Sequence, residues 1–534
     1  MGSMTKKFFV AIFALIIIIT SSYTPVTYGA EVPTFVRIGL FFNYGSMKTA
    51  VDSVTISAEK GIEAGWYAGG DLNVIYSTSD NLVLKIRKDS KYYFVYSKDI
   101  TNRDQAQAKA NEIIAKGVNA FVAVNNTNSW VVLVGGYADK ATADADKANN
   151  LDKKLPGIEI ALVSPSPRMI IVENVSGQAV CGFYSDTINF TLRPSVANDL
   201  KVVKVNSKAY RGEIEVIRQT TSDMTVINIV GLEQYLYGVV PAEIGASSPT
   251  EALKAQAIAA RTYVAKNMSK YSSIGFNLCT TTYSQVYSGF SAESLSSNKA
   301  VEATTGQLLM YEGKPAEVYY FSSSGGMTED VKNVWGSTTF PYLVSVEDKY
   351  ETPTTTYYTW TKTFTVDQIK SKVQKDIGDV VGMEVTKRSD AGRVTELVIK
   401  GTKDQAVYPL ERARMILSLP SQWYTIETGA GSDVNVSVGT VDNATSKIPS
   451  SLKIITESGI KDAPQGSLNV IGGDGTVKNY SSGSSTGASS DFTITGKGWG
   501  HAVGMSQNGA MGMAKAGFTY KQILEHYFKG AVVQ

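Results

Sequence analysis

The sequence predicts an α+β protein: a β-rich main domain that carries a smaller βαββαβ unit inserted near its N-terminus. Three observations lead there. Short strands parted by Gly, Asn, Asp and Ser follow the N-terminal segment, at Val36–Leu40, Val54–Ala58 and Leu82–Ile86. From Tyr92 to Val163 strand and helix patterns interleave. The stretch Gly231 to Lys266, GLEQYLYGVVPAEIGASSPTEALKAQAIAARTYVAK, then sets a strong helix signal among strands.

Length and charge bound the rest. A chain of 534 residues with 43% hydrophobic content has material for two or three cores. Its 51 Lys+Arg against 49 Asp+Glu leave a net charge of +2, which makes no case for nucleic acid as a partner. At the start, Lys6 and Lys7 precede an apolar block from Phe8 to Ile19, followed by Ser21, Ser22, Pro25, Gly29 and Ala30. The block is short for a membrane span and fits a secretory signal over residues 1–30, cleaved after Ala30. With no second apolar run of spanning length, no membrane span is expected after cleavage. The mature chain is expected outside the cytoplasmic membrane, secreted or associated with the cell wall. Cys181 and Cys279 are the only cysteines, and the sequence leaves open whether they pair.

Within the βαββαβ unit, a strand at Tyr92–Tyr96 leads to a helix opened by Thr101 and carrying Ala106, Ala110, Ile113 and Ile114. Strands at Val118–Val124 and Trp130–Val134, an alanine-rich helix at Ala141–Leu151 and a strand at Ile158–Val163 complete it. Tyr92, Tyr96 and Trp130 are aromatics suited to stacking on sugar rings, although single aromatics more often pack in a core. Alternating strands return at Tyr210–Val216 and Met224–Val230. In the helical stretch, an apolar run Leu236–Val240 and Pro241 precede a single carboxylate, Glu243. A helix is expected just after it, capped by Ser248, with Pro249 first and Glu251 closing a capping box. Leu253, Ala257, Ala260, Val264 and Met268 would form one buried stripe with Arg261 at its margin. Taken alone, Glu243 and Arg261 read first as solvated surface charges, as most charged residues are.

The stretch GLEQYLYGVVPAEI with EALKAQAIAARTY resembles the signature of the SpoIID/LytB family, the stage II sporulation protein D and amidase-enhancer group of peptidoglycan-acting proteins. Three further stretches match in order: TTTYSQVYSG, VYYFSSSGGMTED and GKGWGHAVGMSQNGA. The resemblance implies a lytic transglycosylase that cleaves glycan strands, preferably without stem peptides, to 1,6-anhydro ends. Glu243 would be its acid and Arg261 would hold or polarise it. Gln285, Tyr287, Ser323, Ser324, Gly325, His501 and Gln507 would line the substrate cleft. The alternative is a non-catalytic glycan-binding amidase enhancer, with a cell-wall amidase as partner. Some members hold a metal through two cysteines, but Tyr283 and Ser284 stand where a His and the second Cys belong, so no metal and no cofactor is expected. A His of some relatives is Phe321 here.

The βαββαβ unit is similar to a SPOR domain, a binder of peptide-stripped glycan strands. The implied organisation is a SpoIID-type domain starting at 31–90, a SPOR-like domain at 91–165, a SpoIID-type core at 166–428, a flexible Gly/Ser-rich insertion at 429–490 and the last part of the core at 491–534. One hairpin, near Leu452–Ile455 and Leu468–Ile471, is expected in the insertion.

Overall fold

The structure, a computed structural model, describes residues 32–428 and 491–534, except 196–199, 220, 222, 337–339 and 356. Between 429 and 490 it describes only short strands. The segment read as a secretory signal and the stretches read as linkers lie outside the described residues. Within that insertion the strands pair as Asp433–Asn435 with Lys447–Pro449, Lys453–Thr456 with Gly459–Asp462, and Ser467–Ile471 with Val477–Ser481. The segments expected to form one hairpin therefore belong to two separate ones, because each pairs with the strand next to it in sequence.

Helices and strands are mixed, as in an α+β protein. Seven strands form one sheet, in the order Leu278–Cys279, Phe35–Phe41, Met224–Gly231, Glu213–Arg218, Phe190–Pro194, Ile62–Ala68, Asp71–Ser77. A second sheet has ten, in the order Ala161–Val163, Tyr92–Tyr96, Trp130–Tyr137, Ala120–Val124, Ala179–Phe183, Ile170–Glu173, Leu84–Lys88, Ser53–Ser57, Val202–Val205, Lys208–Arg211. The run read as one strand over Tyr210–Val216 is broken at Gly212, and its two halves serve different sheets. Gly212 has φ +82°, and a Cβ there would lie 2.1 Å from the Ile229 carbonyl oxygen, so only glycine makes this crossing.

The first four strands of the ten-stranded sheet pair antiparallel, and the helix Arg103–Ala115 covers one face. Asn102, rather than Thr101, caps this helix by accepting from the Gln105 N–H. The unit is not a separate bead. Ala120–Val124 pairs in parallel with Ala179–Phe183, which joins it to the sheet of the main domain. Phe94, Tyr96, Val132 and Val134 pack with the helix, while Tyr93, Phe121, Ala123, Val131 and Leu133 are buried on the opposite face with Met169 and Ile171. Tyr96 and Trp130 thus face the helix side, Tyr96 buried and Trp130 half-buried against Trp66 with ring centroids 5.1 Å apart.

The helix Leu232–Ile244 leaves the strand Met224–Gly231 directly, and Thr250–Asn267 follows. Glu243 therefore lies in the last turn of a helix and not in a connection before one. Pro241 is tolerated near that end, and Gly245, at φ +86°, stops the helix. The expected capping box does not form. Pro249 is the cap position, the Ser248 hydroxyl turns back to the Ile244 carbonyl at 2.7 Å, and Glu251 accepts from Lys254 and the Tyr520 N–H. Nor is there one buried stripe: Ala252 through Val264 are buried on nearly every side except Lys254, because other helices surround this one. Alanines at 252, 255, 257, 259 and 260 are what allow that close approach. Farther on, the three-stranded sheets Thr359–Phe364/Phe492–Lys497/Trp423–Thr428 and Val380–Arg388/Val394–Gly401/Gln405–Pro409 enclose a second core around Ile369, Leu397 and Ile494.

Candidate active site

Glu243 is partly buried, and its Oε1 accepts the Val286 N–H at 2.6 Å. Burial raises its pKa above the ordinary glutamate value, while the Val286 N–H and the neighbouring Tyr320 and Gln507 side chains pull it back by hydrogen bonding. Its place at a helix C-terminus, the negative end of the helix dipole, also disfavours the charged form. No basic side chain is among the groups that shift it. The arrangement can hold a proton and release it locally.

Arg261 is not the partner the sequence reading gave to Glu243. Its guanidinium is fully buried and makes two parallel hydrogen bonds to Glu233, at 2.8 and 2.6 Å, with further bonds to the Gln307 and Val301 carbonyls. Glu233 opens the helix that Glu243 closes, so Arg261 ties three segments together and touches no cleft.

Gln285 is buried and faces inward: its Oε1 accepts from Tyr235, and its Nε2 donates to the Ala260 carbonyl and the Tyr320 hydroxyl. It supports the acid's neighbour and lines no surface. Tyr287 is core, donating to Asn228 at 2.9 Å and packed against Tyr210 and Tyr235. Gln507 does come to Glu243, and its amide also reaches Gln256 at 3.4 Å.

Ser323, Ser324 and Gly325 do not line the cleft either. They wrap the buried carboxylate of Glu351, which accepts from the Ser323 and Ser324 hydroxyls, from the Ser324 and Gly325 N–H groups at 2.8 and 3.1 Å, and from Asn508 at 3.3 Å. Beside it lies Asp348, fully buried, bonded to Ser324 at 2.8 Å and Tyr527 at 2.9 Å. Burial pushes Asp348 up to about 6. Ser324 has one hydroxyl proton for two carboxyls, so its second contact needs a proton on the carboxyl, and Asp348 is the group placed to carry it. Ser323 also exchanges backbone hydrogen bonds with Trp499, which clasps this loop to the last motif.

His501 sits in that motif among Tyr319, Phe321 and Trp335. Its Nδ1 accepts the Val503 N–H at 3.0 Å, and burial pushes its pKa down to about 4, so the ring is neutral. Phe321 fills space against it. Cys181 and Cys279 are both buried and free. The Cys279 sulfur receives the Ser284 hydroxyl at 3.4 Å. Burial raises its pKa, but donors from Ser284, Thr281 and Tyr271 outweigh that and bring it below the usual thiol value. Among the described residues, no three His, Cys, Asp or Glu side chains are grouped to hold a metal.

The sequence reading missed Tyr320, Gln256, Asp348 and Glu351. For Tyr320 a signal existed, since it lies inside the quoted VYYFSSSGGMTED stretch; in the structure Tyr320–Phe321 pairs in parallel with Met505–Ser506, which brings that motif beside the one that carries Gln507.

Fold and site define an α+β protein with a lone carboxyl held between a helix end, a backbone N–H, a phenol and an amide. A family model described as Stage II sporulation protein (SpoIID) matches residues 220–311, a SPOR domain model matches 89–157, and a domain family of unknown function matches 326–438. The chain is 33% identical over 308 residues to an amidase enhancer of Bacillus subtilis, covering 56% of this chain and 40% of that protein. It is 30% identical over 327 residues to the stage II sporulation protein D of Bacillus amyloliquefaciens, covering 58% of this chain and 76% of that protein. The corresponding Bacillus subtilis protein is 28% identical, over 63% of this chain and 81% of its own length. The chain belongs to the SpoIID family.

Proposed function

We propose that this chain is an exported cell-wall protein that cleaves peptidoglycan glycan strands as a lytic transglycosylase, with Glu243 as its single acid and base. The carrying observation is the Glu243 carboxyl, kept toward its neutral form by burial with no basic side chain among the groups that shift it. Ordinary glycosidases divide the work between two carboxyls. Here one suffices. Protonated Glu243 gives its proton to the glycosidic oxygen as the bond to the anomeric carbon breaks. The sugar's C6 hydroxyl closes on that carbon and returns its proton to Glu243, leaving a 1,6-anhydro end with no water consumed. The Val286 N–H and Gln507 orient the carboxyl throughout.

Residues 91–165 are read as a ferredoxin-like SPOR-type module that holds the same polymer. The antiparallel order of Ala161–Val163, Tyr92–Tyr96, Trp130–Tyr137 and Ala120–Val124 and the SPOR match support this reading. Among the described residues no helix is long and apolar enough to cross a membrane.

A second reading, a non-catalytic partner of a cell-wall amidase, draws on the amidase enhancer among the relatives. One assay separates them: the chain is incubated with glycan strands freed of peptides, and the new ends are weighed by mass spectrometry. Anhydro ends that disappear in Glu243→Gln are expected. Strands that co-sediment with the protein but stay intact overturn the enzyme reading in favour of the binder.

A further inference from the structure

We propose that the cleft between the turn 346–350 and the helices Gln507–Lys515 and Tyr520–Tyr527 binds a zwitterionic amino acid or short peptide with an apolar side chain. The cleft encloses about 520 Å³, within the span of small-ligand sites, and Glu243 is not among the residues that line it. Met513 lines it from the first helix and Gln522 and His526 from the second, with Phe518 and Lys529 at the two ends of the latter. Behind it the Tyr527 hydroxyl donates to Asp348 at 2.9 Å, which joins helix to turn.

Three features decide what fits. The floor is apolar: Val346 and Met513 are buried, and the Tyr350 and Phe518 rings meet edge-on with centroids 5.0 Å apart. The rim is rich in donors. Lys349 lies over the Tyr350 ring at 5.4 Å, and among the described residues neither it nor Lys529 forms an ion pair. Gln522 commits its Oε1 to the Thr519 N–H and hydroxyl, at 2.9 and 3.2 Å, so it offers the two hydrogens of Nε2. The lining holds one carboxylate, Glu347. His526 stands among these charges. Its Nε2 lies 3.0 Å from the Glu347 carbonyl, which can only accept, so Nε2 carries the proton. Burial first, then Lys529 and Lys349, lower the pKa of the ring, while Glu347 opposes them, so both ammoniums and the carboxylate act on one imidazole. The match is an α-carboxylate toward the lysines and Gln522, an ammonium toward Glu347, and a side chain on Phe518 and Met513. A fatty acid would leave Glu347 without a counterpart, and a neutral sugar would leave both lysines so. The inference does not rest on the transglycosylase reading.

The test is methyl NMR of the full chain labelled with 13C-methyl methionine, the Met513 signal assigned by its loss in Met513→Leu. Leucyl-leucine is expected to shift that signal saturably. Leucine alone separates the two sources: weaker binding assigns the site to peptides, and equal binding assigns it to the free amino acid. Leucyl-leucinamide, which lacks the carboxylate, is expected to bind about tenfold more weakly, and Lys349→Gln with Lys529→Gln to weaken leucyl-leucine by about the same factor. Both lysines are exposed, so the fold does not depend on them. Glu347→Gln is expected to weaken leucyl-leucine and to spare its N-acetyl form. A Met513 signal that leucyl-leucine leaves unmoved, or that the amide moves with equal affinity, overturns the inference. So does an unchanged affinity for leucyl-leucine in the double lysine variant.

Discussion

Glu243 and Glu351 are both withdrawn carboxyls, and the chain treats them in opposite ways. Glu351 is enclosed by hydroxyls and backbone N–H groups from Ser323 to Gly325 and by Asn508, so its lone pairs are consumed within the protein. Glu243 has a single backbone donor and two side-chain neighbours, on a partly exposed residue. The saturated carboxylate fastens one motif to another. The undersupplied one retains capacity for a proton and, on the proposed function, for a substrate oxygen. The serine–glycine motif therefore bears on Glu243 indirectly, by fixing the strand that carries Tyr320 against the segment that carries Gln507.

The comparison breaks most visibly in function. Glu243→Gln should reduce formation of anhydro ends by about 10³-fold or more, the scale of losing a general acid, while its denaturation midpoint stays near wild type. Glu351→Ala should do the reverse on stability. It strands several buried donors at once and should cost on the order of 3–5 kcal/mol, read by chemical denaturation. An intermediate effect belongs to Asp348. Its folded pKa, about 6, lies above the unfolded value, so its favourable contribution is complete below about pH 4 and is lost as pH rises through 6. The difference amounts to at most about 3 kcal/mol. Asp348→Asn should flatten the fall in stability between pH 4 and 7 and leave the chain more stable at neutral pH. The smallest effect concerns His501. With its pKa held near 4, its NMR titration should show no midpoint between pH 6 and 7, and activity should show no histidine inflection there.

Much of the fold was legible in the sequence because strand alternation and turn residues report local structure. The strands at Tyr92–Tyr96 and Trp130–Tyr137 and the helix around Ala106–Ile113 lie where their periodicity places them. The helix holding Glu243 was missed because Gly238 and Pro241 look like interruptions. In the structure Gly238 is needed, since a Cβ there would lie 2.7 Å from the Tyr287 ring. Of the site, Glu243 and Gln507 were both named from their motifs, and the structure sets the two side chains beside each other. Arg261 and Tyr287 were misplaced for one physical reason: a motif marks residues that must not change, and a buried ion pair or a packed phenol obeys that rule as strictly as a group that meets substrate. Asp348 and Glu351 escaped notice because their partners lie 24 or more positions away along the chain, beyond any local pattern.

The parallel pairing of Ala120–Val124 with Ala179–Phe183 gives the SPOR-type region a different mechanical character from a tethered binding head. A tether lets a head search while its enzyme waits. Hydrogen bonds running from one unit into the next remove that freedom, so a strand gripped by the first would meet the second at a set offset and angle, as on a ruler. On the proposed function, cutting positions along a long polymer would then be spaced by the protein's own dimensions instead of by diffusion.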